Sequence, residues 1–569
     1  MEEKSKVIEE MFEKGILVSK DFLENKDQEE ITKKIDVEED MLVMNSDYAN
    51  VIKKKSTLVD WYEMDKHRVD SEKDRDEDLY QTELQNIKKT SLAVNSNIKE
   101  QHHSSLETEL DEENMKSSFS SEVESKQEEN EDYLVDESEK VKNKEEIKIV
   151  HKSIEILVSH NNEPYKYKVK DFTNIFVSRY KFLEKILRQR QELRGTTSIN
   201  KVLGKKEKES ISIIGIVEEI KVTKNGHIIL TLEDLTGKIR VLISKNNKEL
   251  FEIAKELILD EIIGIVGKSS DQIVFAEKVV WPDVPEGKEL KTSPKDEYAI
   301  FLSDLHIGSR LFLLKEFEKF LSWIKGESGN EAQREIAKKS KYIIIAVDLV
   351  DGIGIYPAQE SELSIHTIEG QYAEFCRLIK QVPKDKQIII CPGNHDMVHL
   401  AEPQPIFYKE FSQELHKIEN ITLVTNPAVV KIGKTEGFSG FEVLMYHGAS
   451  FDYYVANVET IRNNGGYHRA DLIMKFLLKK RHLAPSFKST PYFPAHKEDS
   501  LLIRSIPDFF ITGHIHYSKV ANYKGITMIS GSCWQDKTAY QEKLGHDPEP
   551  ARVPVVNLKT RKVKILKFI

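Results

Sequence analysis

Short apolar runs recur through the second half of the chain, and each has Asp, Asn or His just after it, within three residues. The runs at 299–302, 342–347, 388–391, 443–445 and 509–512 lack polar alternation and are too short for helices, which predicts strands buried on both faces. Helical periodicity at 314–325, 372–381, 406–415 and 470–480 falls between or beside them, so residues 297–569 read as an α/β layered domain. Upstream, β-rich runs at 210–217, 227–232, 238–243, 261–266 and 272–280 are separated by turns at Lys224-Asn225-Gly226 and Leu235-Thr236-Gly237. A helix at 248–257 lies between the third and fourth runs. Five strands with a helix in that place predict an OB-fold β-barrel over 208–290.

The stripe Phe176, Tyr180, Leu183 and Leu187 has helical spacing and lies in a stretch rich in Lys and Arg, so 149–207 reads as a helical, basic connector. That basic stretch is either a solvated helix face or an electrostatic strip for phosphates. At the amino end, Val7, Ile8, Met11 and Phe12 predict a small helical interaction module within 1–60. Residues 61–148 are dominated by Glu, Ser, Lys, Asn and Gln, a composition that cannot offset the entropy of ordering. They read as a disordered acidic linker.

Charge changes this picture only locally. The net charge of -11 is concentrated in the linker, so the rest of the chain is close to neutral and nucleic-acid binding is not excluded. The OB segment offers few aromatics for base stacking beyond Phe251, Phe275 and Trp281, which favours a docking role for the barrel. The three cysteines have no CxxC spacing, which argues against a disulfide scaffold or a zinc ribbon. With no signal-peptide pattern and no membrane-length apolar run, a soluble cytoplasmic protein is expected.

The residues after the apolar runs carry the chemistry. They are Asp304-Leu305-His306, Asp348-Leu349-Val350-Asp351, Gly393-Asn394-His395-Asp396, Tyr446-His447-Gly448 and Gly513-His514-Ile515-His516, with Gly531-Ser532-Cys533 as a closing strand end. Strand ends on one sheet edge converge, so these N and O donors can share a pocket suited to a two-metal hydrolase. Two cations roughly 3.5–4 Å apart need a bridging anion, and Asp348 is the best candidate. Asp304 and His306 would hold one metal, Asn394 and His447 the other. His514 and His516, two apart on an extended segment, share a face. His395 would act as general acid or charge stabiliser, with Asp351 orienting its imidazole. His366, His399, His468, His482, His496 and His546 carry no such pattern and read as ordinary core or surface residues.

In order, these motifs resemble the calcineurin-like metallophosphoesterase superfamily, with its DxH, GDxxD, GNHD/E, H and GHxH series. The resemblance implies two stacked mixed sheets flanked by helices, an α-β-β-α arrangement. With the OB segment, the run from Asp348 to Pro357 and the run from Cys391 to Asp396, the chain resembles more closely the small subunits of archaeal D-family DNA polymerases. That likeness implies a 3′→5′ exonuclease that proofreads for a separate large polymerising subunit and acts on DNA 3′ ends. It places one metal on Asp304, His306, Asp348 and His516 and the other on Asp348, Asn394, His447 and His514, with His395 beside the leaving group. Manganese suits such a mixed site. A sliding clamp is a further candidate partner, although no convincing clamp-binding motif is present.

The family glycine before the bridging Asp is replaced by Val347, so a different local turn is expected there. Two other readings compete: a non-catalytic polymerase scaffold, and a stand-alone metallophosphodiesterase.

Overall fold

The computed structural model describes residues 17–18, 43–44, 154–160, 166–204, 208–270, 272–492, 494, 498–543 and 545–569. The chain divides into two units, Met1–Asp136 and Glu137–Ile569. In the first, Leu17–Val18 pairs in parallel with Val43–Met44. The rest of the expected helical module and acidic linker lies outside the described residues.

The second unit begins with β1 (Ile154–Ser159), followed by the helix Val169–Leu187, which buries Ile175, Tyr180, Leu183 and Leu187. Next come the barrel strands β2 (Ser210–Val222), β3 (Ile228–Asp234), β4 (Gly237–Ile243), β5 (Ile262–Ser270) and β6 (Ile273–Val280). They close in the order β2-β3-β4-β6-β5, and β4 with β6 is the parallel pair. The helix Lys248–Ala254 lies between β4 and β5, as the spacing predicted. Ile213, Leu230, Leu232, Val241 and Ile265, among others, fill the barrel.

The remaining strands are β7 (Tyr298–Leu302), β8 (Ser340–Ala346), β9 (Gln387–Cys391), β10 (Ile421–Leu423), β11 (Ala428–Ile432), β12 (Phe441–Met445), β13 (Phe509–Thr512), β14 (Lys519–Tyr523), β15 (Ile526–Ser530), β16 (Arg552–Asn557) and β17 (Val563–Lys567). One six-stranded sheet has the order β10-β9-β8-β7-β16-β17 and the other the order β14-β15-β13-β12-β11-β1. Phe301, Ile344 and Ile389 from the first sheet pack against Val430, Val443 and Phe509 from the second. Alternate residues of the same strands, such as Ile300, Ile343 and Ile345, face the helices Leu314–Ile324 and Ile368–Ile379. The second sheet is covered by Phe451–Asn457 and Ala470–Lys480. Four layers result, and burial on both faces explains why β7, β8 and β9 read as unbroken apolar runs.

Two features differ from the sequence expectation. The stretch 149–207 is more than a helical connector, because β1 adds to the second sheet by antiparallel pairing with β11. Its partner lies some 270 residues downstream and none of its residues is fully buried, so no local pattern marks it as part of that sheet. The basic stretch is also partly consumed within the fold. Arg179 is buried, with Nε 2.6 Å from Asp499 Oδ2, and Arg188 pairs with Glu184 on its own helix.

The barrel is anchored to the α/β domain through Trp281. Its Nε1 donates to Glu261 Oε2 at 2.8 Å, Lys480 Nζ meets the same carboxylate oxygen at 2.5 Å, and Lys479 Nζ lies 3.8 Å from the indole centroid. The largest aromatic of the barrel segment is thus a docking contact, not a stacking platform. Cys376, Cys391 and Cys533 are free and buried. No helix among the described residues is long and apolar enough to cross a membrane.

Candidate metal centre

Each predicted ligand lies just beyond a strand end. Asp304 follows β7, Asp348 follows β8, Asn394 follows β9, His447 follows β12, and His514 and His516 follow β13. Parallel pairing of β7 with β8, β8 with β9 and β12 with β13 puts these carboxyl ends together. Close approach then requires glycine at particular points. A Cβ at Gly393 would collide with Asp348 Oδ1 and the Val347 carbonyl, and one at Gly513 would meet Asp304 Oδ2 at 2.6 Å.

Backbone conformation reinforces the convergence. Asp304, His306, His514 and His516 all have positive φ, at 47°, 52°, 72° and 54°. Left-handed backbone is unfavourable for residues with a Cβ and tends to cluster at functional sites. Val347 shows no such φ, and its side chain is fully buried in the core under the helices. The turn expected to change at that position therefore accepts valine, and the tight approach is supplied by Gly393.

The side chains form three groups, in each of which the ligand atoms lie within 4.8 Å of one another: Asp304, His306 and His516; His306, Asp351 and His395, which shares His306 with the first; and Asp348, His447 and His514. Asp348 Oδ2 is central, 3.3 Å from His447 Nε2 and 3.9 Å from the Nε2 atoms of both His306 and His395. Asn394 Oδ1 lies 2.9 Å from His447 Nε2, and His516 Nε2 is 3.7 Å from Asp304 Oδ1.

Burial opposes ionisation of Asp348, but the imidazoles of His447, His395 and His306 outweigh it and hold the carboxyl well below its ordinary range. Asp304 moves the other way, raised by burial and by the neighbouring Asp348. Burial pushes the His516 imidazole well down, with His306 adding to the effect.

The donor set fits divalent cations. His306 and His516 bring their Nε2 atoms to 3.0 Å, and His447 Nδ1 is buried with no hydrogen-bond partner. Buried nitrogens left facing one another are costly, and a shared cation satisfies them.

The ring nitrogens turned away from this centre are held in place. Asp351 Oδ1 lies 3.0 Å from His306 Nδ1, and Asp452 Oδ2 lies 2.9 Å from His514 Nε2. Gln541 Nε2 lies 2.9 Å from His516 Nδ1, while Gln535 and Gln359 donate to the Asp351 carboxylate. Such contacts fix imidazole orientation and tautomer. They also refine one expectation: Asp351 meets the His395 ring through its backbone carbonyl, 2.8 Å from Nδ1, while its carboxylate lies against His306.

Asp396, quoted in the Gly-Asn-His-Asp motif without a role, accepts from the backbone N–H groups of Leu349 and Gly393 and so ties two ligand loops together. Burial pushes its carboxyl up to about 7. Asp452, Gln535 and Gln541 carried no usable sequence signal, because they lie on other segments and are ordinary surface-type residues. Among the histidines set aside, His482 is buried against Asp499 at 2.9 Å, away from the ligand groups, and His496 lies outside the described residues.

An OB barrel docked on a two-sheet α/β domain, with buried His/Asp clusters suited to metal at its strand ends, defines the class of this protein. Residues 299–520 match the family model for the B subunit of DNA polymerases alpha and epsilon, and residues 211–272 match that for an OB-fold nucleic acid binding domain. The chain is 38% identical over 415 residues to the DNA polymerase II small subunit of Methanothermobacter thermautotrophicus, covering 73% of this chain and 83% of that one. The corresponding subunit of Archaeoglobus fulgidus is 38% identical, with 68% and 75% covered. That of Pyrococcus furiosus is 37% identical, with 70% of this chain covered but only 64% of the relative. The chain belongs to the family of archaeal DNA polymerase II small subunits. Among solved structures, an archaeal phosphodiesterase overlaps 47% of this chain and 98% of its own length at 12% identity and a TM-score of 0.24, a likeness too distant to bear on function.

Proposed function

We propose that the chain is the proofreading small subunit of a two-subunit replicative DNA polymerase, a metal-dependent 3′→5′ exodeoxyribonuclease working in the cytoplasm beside a separate polymerising large subunit. The observation that carries this reading is the position of Asp348 Oδ2, one carboxylate oxygen within 4 Å of imidazoles from both ligand groups. Asp304, His306, Asp348 and His516 would hold one cation, and Asp348, Asn394, His447 and His514 the other.

Two divalent cations there, with manganese well suited to mixed His, Asp and Asn donors, would supply phosphoryl charge stabilisation and an activated water. His395 spends Nδ1 on the Asp351 carbonyl, so proton exchange with a leaving oxygen is left to Nε2, the atom facing Asp348. The backbone N–H of His395 donates to Asp348 Oδ1 at 2.8 Å, which holds the imidazole and the bridging carboxylate in fixed relation. The large subunit, DNA with a single-stranded 3′ end and a sliding clamp are the partners this reading assigns.

Purified protein with Mn²⁺ should shorten a 5′-labelled single-stranded oligonucleotide from its 3′ end. Asp348→Ala and His395→Ala should each abolish this while retaining the native circular dichroism. Undiminished activity in both variants would remove the site from the proposal. A wild-type chain that neither binds Mn²⁺ nor hydrolyses DNA, alone or with the large subunit, would make it a scaffold.

A further inference from the structure

The run Gly352-Ile353-Gly354-Ile355-Tyr356 follows directly on Asp351, yet none of its side chains serves the metal groups. Gly352 and Gly354 have φ of 75° and 73°, a doubly left-handed path that lifts the intervening residues outward. Ile353 and Ile355 are exposed by 47% and 37%. The loop is seated against the centre at Gly352, where a Cβ would meet the His395 carbonyl at 2.6 Å and the Ile355 side chain at 2.8 Å.

Opposite it stands Tyr540, 41% exposed. Its ring stacks on Tyr356 with centroids 5.0 Å apart and planes inclined by 15°. Tyr356 is itself fixed, its hydroxyl donating to Glu362 Oε2 at 2.9 Å. Tyr540 also adjoins Gln541, whose amide holds the His516 ring. On the loop that carries His395, Met397 and Leu400 follow it by two and five residues and are exposed by 42% and 61%. Exposed apolar and aromatic side chains thus crowd the loops that carry or brace His395, Asp351 and His516.

We infer that this rim, with Tyr540 as its flat platform and Ile353, Ile355 and Met397 around it, is the subsite for unpaired nucleobases at the 3′ end of a single strand. The inference rests on the proposed hydrolysis of DNA, since it assigns the base that accompanies a phosphate bound between the ligand groups. Three physical points select this occupant. The rim is continuous with the centre through Asp351, His395 and Gln541, so a phosphate there brings its attached base to the rim. Tyr356 covers one face of Tyr540 and holds the ring in place, and the exposed remainder of the ring suits stacking, which every base tolerates. A paired base has its faces covered by its own duplex neighbours, so the platform selects frayed or mispaired ends over duplex ones.

The experiment compares kcat/KM on a single-stranded oligonucleotide with that on bis(p-nitrophenyl) phosphate, a small diester without a base, using Mn²⁺ and the full chain. Tyr540→Ala should lower the oligonucleotide-to-diester ratio by roughly 5- to 100-fold, mostly through KM, and Tyr540→Trp should restore it. Ile565→Ser, at an exposed position away from the rim, serves as the control and should leave the ratio unchanged. For the wild-type protein, an abasic 3′-terminal nucleotide should cost about the same factor, and Tyr540→Ala should add little to it.

An unchanged ratio in Tyr540→Ala overturns the inference. So does a loss of large-subunit binding by that variant with an unchanged ratio, which would make the rim a protein-docking face. A wild-type chain that, alone and with the large subunit, cleaves the diester but not the oligonucleotide fails the proposed nuclease reading instead, and one that cleaves neither in both settings fails it outright.

Discussion

Two buried polar clusters lie in the α/β domain, and they are built on opposite principles. At the junction with the helix Val169–Leu187, Asp499 Oδ2 receives Arg179 Nε and pairs with His482 Nε2, while Oδ1 accepts from the Tyr492 hydroxyl and the Leu501 N–H. Charges balance there and both carboxylate oxygens are saturated. At the strand ends the opposite holds. Imidazole nitrogens face one another, His447 Nδ1 has no partner, and four residues adopt left-handed backbone. A polar cluster satisfied from within stabilises a junction, whereas one left incomplete and strained is organised for something that binds.

The comparison is tested most severely at the junction. Arg179→Met would leave the Asp499 carboxylate buried beside His482 without its guanidinium, at a cost of about 3–5 kcal/mol in stability measured by urea unfolding. The paired change Arg179→Met with Asp499→Leu should recover only part of that, because His482 Nε2, the Tyr492 hydroxyl and the Leu501 N–H lose their acceptor. Mn²⁺-dependent hydrolysis per folded molecule should hardly move in either variant. A large activity loss with unchanged stability would erase the distinction between the clusters.

Acid should act on the same junction. Burial, with Arg179 adding to it, lowers the His482 imidazole to about 4. The unfolded chain takes up that proton near the ordinary value of about 6.5, so the stabilisation is complete above that pH. It declines as pH falls from about 6.5 to 4, by up to about 3 kcal/mol over the window. Unfolding free energies measured across this range should show that decline, and His482→Gln should flatten it. A slope unchanged in the variant would assign the acid sensitivity elsewhere.

The smallest effect is expected where the ligand cluster borrows a partner. Asp452 is half exposed and holds His514 through Nε2, leaving Nδ1 for the centre. Asp452→Asn should weaken Mn²⁺ binding by roughly 10- to 100-fold, read by isothermal titration, with the fold retained. Asp452→Glu should recover part of it. Unchanged affinity would mean that the His514 ring is fixed by packing alone.

Much of this contrast is legible in the unfolded chain. Two-sided apolar runs mark β7, β8, β9, β12 and β13 within about two residues, and the donors follow them directly because strand ends expose the next residues at a sheet edge. The barrel strands and their intervening helix are readable from local periodicity too, with looser ends: β2 and β5 run four to five residues past the expected bounds and the helix stops three short. The sequence pattern puts Asp351 beside His395, as found, although the contact runs through the Asp351 backbone carbonyl and the carboxylate turns to His306. Which imidazole meets the carboxylate is a matter of tertiary contacts, since Gln359 and Gln535 hold its oxygens beside His306.

What the sequence determined by itself was therefore the periodic and the chemical: which segments are strands, which donors stand at their ends, and in what order. Tertiary structure alone decided that β1 completes the second sheet across some 270 residues, that Arg179 is buried at a junction, and that Asp452, Gln535 and Gln541 brace the ligands. The physical reason is separation along the chain. Periodicity records the burial of a residue's own face, whereas these contacts join groups whose neighbours in sequence say nothing about each other.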